Sequence, residues 1–378
     1  MVIGIDGNEA NVKNRVGVGV FSYHLLDELH RQNKTRFFLI FLKNPPLPDM
    51  PKANQHWRYL VFGPKPLWTK IALPLQLTIT KEKIDYFLSL SHYSPHPSPV
   101  PTIPTIHDIG YLRSPEGFTK KDIFQLTNWT ESSLKHARHV LAVSEFTKNE
   151  IIKKYKIKPD KISVIRNGVG KIPQASPEKE RQVLKKFNIF PPYFLAVGTL
   201  KPNKNYPFLI KAFSQFLNLP AGRQGFSSSH LKYSLVIAGK KGWLYDEIFK
   251  LVKEKSLLNN IVFTDFITEP EKWALYRQAT ATVIPSLYEG FGIPVLESQR
   301  VGTPVIASDI TPLKEVLGNS ALYINPTKVS TLVSALKKIT HPKIQKKYRH
   351  LGIKNSRDYT WVKSSQKLLK LFDSLAGV

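Results

Sequence analysis

Short, continuously apolar runs recur along the chain with helix-length stretches between them, and this rhythm narrows the possible folds more than any single motif does. The first series is Val2–Asp6, Phe37–Leu42, Tyr59–Phe62, Ile84–Leu90, Pro104–Ile106, Val140–Val143 and Ile162–Ile165. These runs are apolar throughout rather than at every second residue, so they predict strands buried on both faces, as in a parallel sheet covered by helices. A second series follows at Tyr193–Val197, Ser234–Ala238, Ile261–Thr264, Ala281–Pro285 and Pro304–Ala307. Between the two, Gly170–Pro191 is polar and carries three prolines. The expectation is an α/β chain of two doubly wound, Rossmann-like parallel-sheet domains, 1–172 and 173–360, facing each other across a cleft.

Size agrees with this division, since 378 residues of which 42% are apolar can form two cores. The start Met1-Val2-Ile3-Gly4-Ile5-Asp6 reads as a strand and lacks the pattern of a signal peptide. No run approaches the roughly 18 apolar residues of a membrane span. A cytoplasmic location is expected. The absence of cysteine excludes disulfides, thiolate metal sites and cysteine nucleophiles. The formal charge of +27 draws such a chain toward phosphates, nucleic acid or an anionic membrane. The competing reading is a solvated lysine-rich surface, because Lys153-Lys154 and Lys346-Lys347 fall where helices face water. The turn-forming stretch Pro220–Ser229 reads as a mobile surface insertion.

Ligands of open α/β sheets bind beyond the carboxyl ends of the strands, so motifs there carry the most weight. The densest is Pro285-Ser286-Leu287-Tyr288-Glu289-Gly290-Phe291-Gly292-Ile293-Pro294-Val295-Leu296-Glu297. Pro294 fits a first helical turn, leaving the amides of Val295 and Leu296 and the positive helix end for an anion. Gly290 and Gly292 let backbone approach a ligand, and Glu289 and Glu297 can accept from sugar hydroxyls. The plainer alternative is a turn whose glutamates cap or solvate the helix. A second motif, Gly198-Thr199-Leu200-Lys201-Pro202-Asn203-Lys204-Asn205, places a lysine after a strand, where it can neutralise a leaving diphosphate or merely be a solvated charge.

Two weaker motifs lie in the first domain. Gly17-Val18-Gly19 opens an expected helix from Val20 to Leu29, with Asp6 and Asn8 close by, and any tight strand-to-helix turn uses such glycines. His107-Asp108 follows the strand Pro104–Ile106, although a lone histidine is more often structural. His92, His96, His136 and His139 lie in polar stretches without a matching motif and are set aside. Ser144 is as good a helix cap as a ligand contact. The stretch Pro66–Leu73 mixes aromatic, aliphatic and basic residues, suiting either a helix packed on its own sheet or one resting on a membrane.

From Ile261 to Pro326 these motifs resemble the retaining glycosyltransferases of family four, which have the GT-B fold. Glu289 and Glu297 match the family's Glu-x7-Glu signature, and Gly302-Thr303-Pro304-Val305-Ile306-Ala307-Ser308 and Glu315-Val316-Leu317-Gly318 continue the likeness. The resemblance implies that Glu289 contacts the donor sugar, that Glu297 contacts the nucleotide ribose, and that Gly290, Phe291, Gly292 and Ile293 lie against sugar and phosphate. It implies that Lys204 binds phosphate, with Thr199 or Asn203 standing where the family often has arginine and Lys201 as a substitute. It further implies that Gly17 and Gly19 line the phosphate and acceptor side, that His107 contacts the donor sugar, that Thr264–Ile267 runs under the nucleobase, and that a terminal helix within about 361–378 packs back on the first domain. His107, Glu289 and Lys204 are the expected catalytic group.

Within the family, Leu67-Trp68, Asp85 and His107-Asp108 look most like bacterial mannosyltransferases of surface-polysaccharide synthesis. The implied reaction moves mannose from GDP-mannose to a glycan or lipid-linked hydroxyl with retention. No resident cofactor or metal is expected, there being no Asp-x-Asp cluster. The partners would be the nucleotide sugar, the acceptor and an anionic membrane at the inner face, without nucleic acid. Alternatives are a UDP-sugar glucosyl or N-acetylglucosaminyl transferase, an epimerase or phosphorylase of the same fold, and, from another class, a basic non-catalytic protein binding nucleic acid or membrane.

Overall fold

The computed structural model describes residues 1–113, 115, 119–218 and 233–377; the stretch Pro220–Ser229 lies outside the described residues. The chain forms two compact units, Met1–Gly168 with Thr360–Val378, and Val169–Tyr359.

The first unit carries seven strands, β1 (Val2–Asp6), β2 (Phe37–Leu42), β3 (Trp57–Val61), β4 (Tyr86–Ser89), β5 (Thr102–Ile106), β6 (Val140–Ala142) and β7 (Ile162–Val164). They form one parallel sheet in the order β3-β2-β1-β4-β5-β6-β7. The order reverses between β1 and β4, which opens a crevice beyond their carboxyl ends. β3 begins two residues earlier than its apolar run; it is an edge strand, so Arg58 and Val61 face water and the run is interrupted. Under the sheet, Leu39, Phe41, Ile84 and Phe87 pack with Trp68, Leu73 and Leu77. Ile106, Leu134, Val140, Ala142 and Ile151 build a second cluster.

Helix Val18–Gln32 starts two residues before the expected Val20 and ends three past Leu29. The helix Trp361–Ala376 completes this unit. Its Thr360 cap accepts from the Lys363 amide at 3.2 Å. Trp361 meets Phe21 edge-on at 5.7 Å and stacks on His24 at 5.5 Å. Arg36 pairs with Asp373, and Tyr86 donates to the Leu375 carbonyl at 2.6 Å. Gly168 is fixed by this docking, because a Cβ there would lie 2.3 Å from the Trp361 amide nitrogen.

The second unit carries β8 (Tyr193–Val197), β9 (Ser234–Ala238), β10 (Ile261–Phe263), β11 (Ala281–Ile284), β12 (Val305–Ser308) and β13 (Leu322–Ile324), again all parallel, in the order β10-β9-β8-β11-β12-β13. Here the order reverses between β8 and β11. β13 has no counterpart among the expected runs; it is an edge strand whose Leu322 and Tyr323 are only half-buried. The proline-bearing segment before β8 is also more than a linker. It holds the helix Pro177–Lys186, opened by Ser176, whose hydroxyl accepts from Lys179, and tied down where Arg277 meets Glu180 at 2.9 Å and the Pro173 carbonyl at 2.6 Å. Ser-Pro-Glu is a helix start, and that signal explains the difference.

Candidate functional site

In the second unit, the strands that flank the reversal deliver two loops to the same crevice. The β8 loop runs through Gly198–Lys201 into a short turn Pro202–Lys204 and then the helix Tyr206–Leu217. The β11 loop runs through Pro285–Gly292 into the helix Ile293–Arg300. Asparagines stitch them together. The Leu287 amide donates to the Asn203 carbonyl at 2.9 Å, and Asn203 Nδ2 donates to the Tyr288 carbonyl at 3.2 Å. Asn205 Nδ2 donates to the carbonyls of Pro285 and Pro326 at 3.2 and 2.9 Å. Asn205 has φ 57°, a left-handed conformation that asparagine tolerates better than most residues.

Held between these loops is an ion pair. Lys204 Nζ donates to Glu289 Oε1 at 2.6 Å, and Ser286 Oγ donates to the same oxygen at 2.7 Å. Both charged side chains are largely but not wholly covered. Glu289 Oε2 has no hydrogen-bond partner among the described residues. The carboxylate thus keeps acceptor capacity, and the ammonium has three donors with one committed to Glu289.

Glu297 is buried one helical turn and more into Ile293–Arg300, with both oxygens engaged. Lys272 donates to Oε1 at 2.6 Å and Tyr276 OH to Oε2 at 3.0 Å. Lys272 also reaches Glu269 at 2.7 Å. Burial opposes the Lys272 charge, yet the two carboxylates beside it outweigh burial and raise its pKa. Burial and Glu297 together push the Tyr276 hydroxyl well above its ordinary value. Sequence reasoning missed Lys272 and Tyr276, whose four-residue spacing on the helix Glu269–Gln278 was the available signal.

Gly292 has φ 94°, and a Cβ there would meet Leu313 at 2.7 Å, so conformation and space both demand glycine. Two expectations change at this turn. The Val295 amide is not free, because it donates to the Gly292 carbonyl at 3.2 Å. The Phe291 ring is buried edge-on against Tyr359 at 5.9 Å, which leaves only its backbone for a ligand. Gly290 is buried beside it, and Ile293 is half-buried at the helix start. Thr199 is half-buried, and its Cγ2 would lie 2.9 Å from a Cβ placed at Gly242, so it packs on the loop after β9. Lys201 sits 5.4 Å over the Trp243 ring rather than at the Lys204–Glu289 pair.

In the first unit, His107 follows β5. Its Nε2 lies 2.9 Å from the Leu90 carbonyl, an acceptor only, so Nε2 carries the hydrogen and Nδ1 is the bare acceptor. Burial, then the neighbouring His92, lower its pKa to about 4, and the ring is neutral at ordinary pH. His92, set aside in the sequence, stacks on it at 6.1 Å and accepts from the His107 amide at 3.3 Å. His92 follows β4 as His107 follows β5, and that strand-end position was the signal. Phe21 meets the His107 ring edge-on at 4.8 Å. The helix that Gly17 caps therefore brings the glycine motif and the histidine motif together. Gly17 has φ 47° with open space around it, whereas Gly19 lies inside the first turn, where a Cβ would stand 3.0 Å from the Glu9 carbonyl.

Asp6 and Asn8 are occupied structurally. Asn8 Nδ2 and Trp68 Nε1 donate to Asp6 at 2.6 and 3.1 Å, and Asn8 Oδ1 accepts from the Lys43 amide at 2.8 Å. Ser144 caps the helix Glu145–Tyr155, accepting from the Thr147 amide at 3.0 Å.

Residues 16–170 match the family model described as Glycosyltransferase Family 4, and residues 178–358 match that described as Glycosyl transferases group 1. The O-antigen chain mannosyltransferase RfbU of Salmonella typhimurium is 35% identical over 235 residues, which are 62% of this chain and 60% of that one. The O-antigen chain mannosyltransferase B of Escherichia coli is 31% identical over 233 residues, which are 61% of this chain and 58% of that one. The matched stretch thus spans less than two thirds of either relative. The solved structure of Anabaena Alr3699/HepE in complex with UDP and glucose covers 99% of both chains with a TM-score of 0.74 at 16% identity, a likeness of fold.

Proposed function

Because the chain belongs to the glycosyltransferases of Family 4 and group 1 and has their GT-B type of fold, we propose that it moves mannose from GDP-mannose to a hydroxyl of a glycan or lipid-linked acceptor, with retention and without a metal, at the cytoplasmic side of a membrane. The observation that carries this reading is the Lys204–Glu289 pair at the β8/β11 reversal, 2.6 Å apart and partly open to solvent.

In this reading Glu289 accepts hydrogen bonds from hydroxyls of the donor sugar. Lys204 turns its remaining N–H donors to the diphosphate, where negative charge grows as the bond from the anomeric carbon to the phosphate oxygen breaks. The acceptor oxygen bonds to the same carbon on the same face, and its proton passes to the leaving phosphate oxygen. Glu297, hydrogen-bonded by Lys272 and Tyr276, accepts from the ribose hydroxyls. The backbone from Gly290 to Ile293 lies along the phosphates. Nδ1 of neutral His107 accepts from a substrate hydroxyl. The two mannosyltransferase relatives support mannose as the sugar.

Calorimetry with GDP-mannose, UDP-glucose, UDP-N-acetylglucosamine and UDP-galactose tests the donor, and nuclear magnetic resonance of the product reads its anomeric configuration. GDP-mannose binding tightest is the expected result. Preference for a uridine sugar would replace the donor assignment, and binding of none would overturn the function. Glu289→Gln keeps the shape and removes the charge, and it is expected to lower kcat/KM about a hundredfold. Activity equal to the parent would remove Glu289 from the site.

A further inference from the structure

The segment Trp68–Ile79 runs as one wide turn, Trp68–Ala72, followed by the helix Leu73–Ile79. One side is core: Trp68, Ala72, Leu73 and Leu77 are buried against Leu39, Phe41, Ile84 and Phe87. The opposite side is apolar too. Leu67, Ile71, Leu75 and Ile79 stand four residues apart, on one face, with 56%, 43%, 61% and 70% of their surfaces exposed. Thr69, Lys70, Gln76 and Thr78 lie among them, yet an exposed row of aliphatic side chains along a helix marks a docking surface.

Charge says what covers it. From Met50 through Lys81 the chain has no acidic residue but carries Lys52, Arg58, Lys65, Lys70 and Lys81. Glu82 is paired to Arg58, and Lys83 is exposed just beyond. Lys65 and Lys81 stand exposed at the two ends of the ridge, while Lys70 lies 5.2 Å over the Trp129 ring on the neighbouring helix Lys120–His136. An apolar ridge rimmed by lysines suits an interface of acyl chains beneath anionic headgroups. A second copy of this chain would bring the same cationic rim and a formal charge of +27 against it. A dissolved anion or nucleic acid has no use for four exposed aliphatic side chains.

We infer that Leu67, Ile71, Leu75 and Ile79, with Lys65, Lys81 and Lys83 around them, form the face by which the first unit rests on an anionic lipid bilayer. This names the membrane partner's contact surface and does not depend on the donor chemistry.

Flotation of the full chain tests it, with vesicles of phosphatidylglycerol and phosphatidylcholine beside vesicles of phosphatidylcholine alone, and no nucleotide sugar. The chain is expected to float with the anionic vesicles, less so at raised salt, and not with the neutral ones. The triple variant Ile71→Gln, Leu75→Gln, Ile79→Gln is expected to lose about tenfold or more in partitioning while keeping its thermal midpoint. Lys65→Gln, Lys81→Gln, Lys83→Gln should lose binding to anionic vesicles, and Leu258→Gln, an exposed apolar residue of the second unit, should lose none. Equal flotation of parent and ridge variant overturns the inference, as does absence of flotation by the parent. So does light scattering that finds a dimer in the parent and a monomer in the ridge variant. Donor calorimetry on the same samples reads the proposed function separately, so either can fail alone.

Discussion

Charge at the crevice is stored in pairs whose members are far apart in the chain. Lys204 and Glu289 are 85 residues apart, and Lys272 and Glu297 are 25 apart. Two histidines are handled in the opposite way, by burial in the neutral form. His107 and His139 both have pKa values lowered to about 4 from 6.5, burial being the first cause in each. Above pH 6.5 both rings are neutral in the folded and unfolded chain and contribute no pH dependence. As pH falls from 6.5 to about 4, the unfolded chain takes up protons that the folded chain refuses, so stability drops across that window. Urea midpoints measured through this range should show the drop, and His107→Gln should make it shallower than in the parent; an unchanged slope would mean that His107 is not held neutral. The position of each motif after a strand was legible in the sequence. The pairings were not, because a lysine and a glutamate in separate loops carry no mark of their meeting, and Asn203, which departs from the family's arginine, gives no sign in sequence that it clamps the Tyr288 carbonyl.

At the level of elements, the turn into Ile293–Arg300 depends on Gly292. Its φ of 94° and the nearness of Leu313 predict that Gly292→Ala costs about 1–3 kcal/mol, read as a lowered urea midpoint, together with weaker donor binding as the Glu289 loop shifts. Loss of stability with donor affinity intact would separate the turn from the site. Twelve of the thirteen described strands coincide with expected apolar runs, because parallel strands buried on both faces leave a continuous signal. The signal fails where burial fails. β3 is displaced because an edge strand alternates, and β13, at the edge of the second sheet with Leu322 and Tyr323 only half-buried, is absent from the sequence reading although β6, β7 and β10 are as short. The helix Pro177–Lys186 was hidden by the prolines around it, although one of them begins it. The stretch Pro66–Leu73 buries Trp68, Ala72 and Leu73 in the core of its own unit and leaves Leu67 and Ile71 exposed, a division that its mixed composition alone does not assign.

For the whole molecule, the first unit is closed by a helix that comes after the second. Removing residues 360–378 strips Trp361 from Phe21 and His24 and leaves Arg36 and the Tyr86 hydroxyl without Asp373 and the Leu375 carbonyl. Hydrogen exchange on the shortened chain is expected to show lost protection in β1, β2 and β4, with β8, β9 and β11 unchanged. Equal protection in both sheets would mean that the helix is dispensable. Two units were legible from the two series of strands, whereas the exact points of exit and return were not, since Gly168 and Thr360 are defined by a contact across the length of the chain.

The Val169 amide donates to the Tyr359 carbonyl at 3.2 Å, so the second unit begins and finishes at one point, as an insert does. A ribosome therefore releases the two units in an order that numbering does not suggest. The unit begun first waits, with Phe21 and His24 uncovered, until Trp361 has emerged, while the unit begun second already holds every one of its strands. During that wait the surface that the helix will cover is open to non-native contacts.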